Sequence, residues 1–149
     1  MQFQIWVLGG NLQNGGNAPL DGYQIYTGDT VNLMIRIIAN GLVQLPLPSV
    51  TLTIADSRNF VPANTLIGPS AFTVNFDKGI NILEGTLTLA STDTAAIALP
   101  SVNKQGRPFL DAFWEVQFVQ DTPNIVRTWP TGDRGKLTFV GDINRVNTG

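Results

Sequence analysis

The sequence predicts an all-β fold, a β-sandwich of about eight or nine strands with one short helix. Three observations lead there. Apolar and polar residues alternate with a period of two in segment after segment. The breaks between segments carry Gly, Asn, Asp and Pro, the residues that turns require. A single stretch reads as helix.

Taken in order, Phe3, Ile5 and Val7 alternate with Gln2, Gln4 and Trp6 in a first strand. A weaker strand follows at Tyr23–Tyr26. Val31, Leu33, Ile35 and Ile37 share one face, with Asn32, Met34 and Arg36 on the other. Asn40-Gly41 suits a two-residue hairpin turn leading to residues 42–45, and Pro46 and Pro48 then stop regular pairing. Strands follow on Val50, Leu52 and Ile54, on Phe72, Val74 and Phe76, and on Leu83, Leu87 and Leu89. Residues 91–99 begin with cap residues and end before Pro100, so one or two helical turns are expected, with Ser91 or Thr92 as N-cap. Trp114, Val116 and Phe118 form the next strand, 125–129 a weaker one, and Leu137 and Phe139 the last. The expected core is Leu33, Ile35, Leu52, Ile54, Leu87, Trp114, Val116 and Phe139.

The chain has 149 residues, one domain's worth of sequence. Residues 1–22 read as an N-terminal strand on a Gly/Asn-rich arm, and residues 23–149 as the sandwich. The first strand has two open placements: within its own sandwich, or added to a neighbouring sheet. The opening residues have neither a basic segment nor an apolar run of the kind a secretory signal has, so assembly in a cytoplasm is expected.

Composition removes much chemistry. There is no Cys and no His, which excludes thiolate nucleophiles, the Ser-His-Asp triad and the commonest metal ligands. Nine basic against eleven acidic residues leave no excess of positive charge for nucleic-acid phosphates. No apolar run reaches the ~20 residues of a membrane helix. The glycine-rich run at residues 9–16 lacks the Gly-Lys-Ser/Thr ending of a phosphate loop. Asp111 and Glu115 are the nearest thing to a catalytic carboxylate pair and read as solvated acids on a strand face. Asp29, Asp77, Asp121 and Asp133 read as turn residues whose side chains bond the backbone two residues on. No catalytic residue, cofactor or metal is expected.

Charged residues are only 13% of the chain, about half the ~25% of an ordinary soluble domain. A surface so poor in charge desolvates easily, as the centres of protein interfaces do. The expected partners are therefore other protein chains. Candidate interface residues are Phe3, Ile5, Trp6 and Val7 on the first strand, Lys104 and Arg107 in the loop at residues 99–111, and Trp129. Trp6 lies out of phase with its apolar neighbours and points to another chain or to the Gly-rich arm. Trp6 and Trp129 are also the candidates for a sugar-stacking platform.

An ordered set of motifs is more specific. Tyr26-Thr27-Gly28-Asp29-Thr30 opens an alternating strand, and Leu47-Pro48-Ser49-Val50-Thr51-Leu52 leads into a second. Gly85-Thr86-Leu87-Thr88-Leu89 is followed by Ser91-Thr92-Asp93-Thr94-Ala95-Ala96, then by Phe113-Trp114-Glu115-Val116-Gln117-Phe118. Gly135-Lys136-Leu137-Thr138-Phe139 closes the set, running on to Arg145. This order resembles the immunoglobulin-like domain at the N-terminus of bacteriophage baseplate upper proteins, and related small phage tail and fibre proteins. The resemblance covers roughly residues 23–145; residues 1–22, 58–70 and 99–111 depart from the family pattern.

The resemblance implies an immunoglobulin-like β-sandwich and a non-enzymatic virion structural protein. It would act as an assembly module of the tail, baseplate or fibre attachment, contacting other copies of itself and other virion proteins, with no nucleic acid or membrane. The neighbouring alternative is a capsid decoration (cement) protein. The alternative of another class is a carbohydrate-binding module for host recognition.

Overall fold

The computed structural model describes residues 1–11, 16–121, 124–130 and 134–141. In chain order the first strands are β1 (Gln2–Asn11), β2 (Gly16–Pro19), β3 (Tyr23–Tyr26), β4 (Val31–Ile38), β5 (Ser49–Ala55), β6 (Thr65–Ala71), β7 (Thr73–Asn75) and β8 (Ile82–Leu89). The short helix α1 (Ser91–Ala95) follows, then β9 (Ser101–Val102), β10 (Pro108–Gln120), β11 (Ile125–Trp129) and β12 (Lys136–Val140).

Two sheets form the sandwich. One has the order β2-β1-β4-β8-β7. The other runs β3-β12-β10-β5-β6, with β9 and β11 also paired to β10. The order β1-β4-β8-β7 facing β12-β10-β5 is that of an immunoglobulin-type sandwich, the ABED sheet against GFC. Strand β3 pairs with β12 in parallel, from Tyr23 opposite Leu137 to Tyr26 opposite Val140.

Alternation explains which face each strand buries. Val31, Leu33, Ile35 and Ile37 of β4 turn inward against Leu52 and Ile54 of β5 and Trp114, Val116 and Phe118 of β10, all buried. Leu87 is the exception among the expected core residues and is only half-buried. Leu87 pairs with Leu33 of β4 and lies one residue beyond Thr86, where the pairing with β7 ends.

Among the described residues there are more strand segments than the eight or nine expected, because β2, β6 and β9 add edge segments where the sequence shows no alternation. Phe72 carries the chain from one sheet to the other, separating β6 from β7. At the far edge of β10, β11 pairs with Val116–Gln120 and β12 with Phe109–Phe113, so a single edge is shared by two segments. Gly135 lies at that division. Its φ is +82°, and an added Cβ would come within 2.6 Å of the Trp114 carbonyl, a position only glycine fills without strain.

The N-terminal strand pairs within its own sandwich. Strand β1 lies between β2 and β4, with Gln2 opposite Ile38 and Val7 opposite Leu33. Asn40-Gly41 makes a turn but not a hairpin: the chain after it crosses to the other sheet and starts β5. Leu42 plugs the core, and two prolines without N–H groups keep residues 45–48 out of the ladder. The helix is shorter than expected and begins after Ala90, which is its N-cap and makes no side-chain cap bond. The Asx bond near Asp77 belongs to Asn75, whose Oδ1 accepts from the Asp77 N–H at 3.2 Å. Residues 12–15 of the Gly/Asn run, Asp133 and the closing motif beyond Gly141 lie outside the described residues.

Candidate functional site

Trp6, Trp114 and Trp129, the three tryptophans of the chain, line one cleft of about 230 Å³. It lies where β1 of one sheet faces the β11–β12 corner of the other. Trp114 points inward from β10 and donates its indole N–H to the Lys136 carbonyl at 3.3 Å. Trp129 meets Trp114 edge to face, with centroids 5.1 Å apart, and stacks on Phe3 at 5.3 Å. Trp6 points out of β1, opposite Met34, with the Arg36 guanidinium 5.5 Å from its ring centroid. That guanidinium is held by Glu84, directly opposite on β8, at 2.7 Å. Asp21 closes the cleft's edge by accepting hydrogen bonds from the Gly135 and Lys136 N–H groups, at 3.1 and 2.9 Å.

The structure therefore gathers Phe3, Ile5, Trp6 and Trp129 of the expected interface in one region, but not as a free surface. Ile5 and Val7 are core residues, since pairing with β4 turns that face of β1 inward. Phe3 and Trp129 cover each other. As a sugar platform the tryptophans are compromised, because Phe3 and Trp114 occupy the Trp129 ring and Arg36 occupies a face of Trp6. Lys104 and Arg107 lie apart, in the β9–β10 turn. Lys104 is exposed, while Arg107 places its guanidinium 5.7 Å from the Tyr26 ring centroid and donates its backbone N–H to Asn103 Oδ1.

The two acids weighed as a catalytic pair have different surroundings. Asp111 is exposed and accepts a hydrogen bond from the Thr138 hydroxyl at 3.1 Å. Glu115 is half-buried, and desolvation raises its pKa, so the expectation of two solvated acids holds for Asp111 alone. Among the described residues, no group of three His, Cys, Asp or Glu is placed to hold a metal ion.

A feature missed by sequence reasoning sits at one end of the sandwich. Leu45 is 91% exposed, Ile80 68% and Leu47 49%. Their loops are adjacent: the Ala39 N–H donates to the Asn81 carbonyl at 3.1 Å. Buried Gln120, at the end of β10, fixes the same end by accepting from the Val43 N–H and donating to the Gly41 carbonyl. The signal in the sequence was the Leu-Pro-Leu-Pro run at residues 45–48, which stops pairing and also displays two leucines. No protein-family model matches the chain, and no curated protein matches it.

Proposed function

We propose that the chain is a non-enzymatic phage virion structural protein, an assembly module of the tail, baseplate or fibre attachment that acts through protein–protein contacts. The observation that carries this reading is the apolar end of the sandwich, where Leu45 and Leu47 stand in water on a loop anchored by Gln120, and Ile80 on the neighbouring loop joined to it through the Ala39 N–H and the Asn81 carbonyl. Large apolar side chains gathered on rigidly held loops mark contact sites, and burying them supplies the association energy. The low share of charged residues supports the same reading, since little hydration is lost when such a surface is covered. The resemblance of the motifs from Tyr26 to Phe139 to phage baseplate domains supplies the particle.

The test is to locate the protein in purified particles by electron microscopy, and to repeat this with Leu45→Asp and Ile80→Asp combined. The doubly substituted chain is expected to fold with unchanged melting temperature and to be missing from particles. Full occupancy by that variant would remove the apolar end from the proposal, and absence of the unmodified chain from particles would remove the proposal itself. A density on the capsid shell instead of the tail would favour the decoration protein.

A further inference from the structure

We infer that the outer face of the second sheet carries a groove that binds a neutral saccharide, on the side of the protein formed by β5, β6 and β10. The groove encloses about 600 Å³. Its floor is a square of polar side chains: Thr53 lies directly opposite Glu115, and Thr51 directly opposite Gln117. Opposed residues stand about 5 Å apart and the two pairs about 7 Å apart along the strands. Phe60 and Pro62, from the loop at residues 56–64, and Pro69 on β6 form the apolar wall.

The wall is held in place by a backbone constraint. Gly68 has φ of +100°, and an added Cβ would lie 2.4 Å from the Leu52 carbonyl oxygen. Only a residue without Cβ lets β6 pass so close to β5 there. The pairing of the two strands shifts register between Leu52 and Ile54, beside the groove.

The floor's hydrogen-bonding capacity is unspent. Among the described residues, none of the side chains of Thr51, Thr53, Glu115 and Gln117 hydrogen-bonds to another protein group. Elsewhere on the sheet surfaces comparable pairs do bond, Thr138 to Asp111 at 3.1 Å and Thr88 to Asn32 at 2.8 Å. The floor offers hydroxyls and an amide that both donate and accept, and a carboxylate that only accepts. A ligand that satisfies all four must carry several hydroxyls at fixed spacing. It must also present an apolar face to Phe60. A hexose unit does both. Anions are disfavoured by the Glu115 carboxylate, which has no ion pair among the described residues. Polar groups placed on an otherwise apolar-walled concavity are how small ligands are oriented.

The test uses the full chain, isotopically labelled, titrated with maltotriose, cellotriose, chitotriose and a galactose disaccharide. Binding by at least one is expected, with amide shifts confined to residues 49–55, 60–69 and 113–119. Gln117→Ala and Phe60→Ala should each weaken it about tenfold at unchanged melting temperature. The inference fails if no sugar shifts any amide at about 10 mM, or if the shifts fall on the tryptophan cleft. It fails also if both variants bind like the unmodified chain. A lysine-rich peptide that binds where no sugar does, and is lost with Glu115→Gln, would make the groove a protein contact. None of these failures touches the assembly reading, which rests on the opposite feature of the fold, the apolar loops carrying Leu45 and Ile80.

Discussion

The Thr94 hydroxyl donates to the Asp29 carbonyl at 2.7 Å and, from the other side, accepts the N–H of Gly28 at 3.0 Å. Thr94 is fully buried, so helix α1 is fastened by one side chain to the turn that precedes β4. Two motifs far apart in sequence, Gly28-Asp29-Thr30 and the Ser91-Thr92-Asp93-Thr94 start of the helix, are thus one structural unit. A buried N–H left without its acceptor costs more than the bond itself contributes.

Thr94→Val keeps the shape and deletes the hydroxyl. It is expected to lower unfolding free energy by about 1–3 kcal/mol, while Thr94→Ser loses less. Urea denaturation measures both. Equal midpoints for the valine variant and the unmodified chain would show that the hydroxyl is not what holds α1.

Core truncations should rank with burial. Trp114→Ala is expected to cost about 3–5 kcal/mol and Leu52→Ala about 2–5 kcal/mol, because each leaves a cavity between the sheets. Trp6→Ala removes a half-buried ring on the outer face and should cost less than either. Chemical denaturation of the three variants, compared at constant m-value, gives the order. A Trp6 variant weaker than the Trp114 variant would contradict the facing of β1.

Gly135→Ala forces a Cβ toward the Trp114 carbonyl at 2.6 Å and an alanine into positive φ. The left-handed backbone alone costs about 1–2 kcal/mol, and the close approach adds to it. A thermal melt reads the loss. The substitution should also dislodge the N–H of residue 135 from Asp21, visible as faster amide exchange at residues 135 and 136.

Burial raises the pKa of Glu115 above the ordinary carboxylate value. The folded state then holds that proton more tightly than the unfolded state. Its contribution is therefore most favourable at low pH and declines as pH rises from the unfolded pKa through the folded one. Glu115→Gln removes this dependence. The variant is expected to gain stability relative to the unmodified chain as pH rises from about 4 toward neutrality, and the gain should vanish below that. Matched melts across pH check the sign, and a gain that grows toward acid pH would contradict it.

The sheet pattern was legible because alternation reports facing directly. Leu33, Ile35, Val116 and Phe139 needed nothing more than period two. What the pattern could not carry was partnership. Phe3, Ile5 and Val7 alternate in the same way whether they meet β4 or a neighbouring chain, so pairing within the sandwich had to come from the fold. Asn40-Gly41 shows the converse: local turn chemistry was right, but the chain beyond the turn changes sheets, meeting Gln120 of β10 already at Val43. Trp129 was expected to meet another chain or a sugar, yet contacts with Phe3 of the opposite sheet and with Trp114 cover it. The polar groove and the apolar end depend on loops crossing a sheet face or meeting at one pole, and no single segment encodes that.

The parallel pairing of β3 with β12 has a consequence for how the chain comes to be folded. Asp21 binds the N–H of Gly135 and Lys136, and Tyr23 lies opposite Leu137, so the clasp joins segments separated by more than a hundred residues. Contacts of such sequence separation form late, because the intervening chain's freedom must be given up before they are made. During synthesis, at about 5–20 residues per second, the strand at Tyr23–Tyr26 leaves the ribosome several seconds before its partner exists. Until then its backbone groups on that side are open to any other strand in reach, and completion of the second sheet waits on the translation of β12.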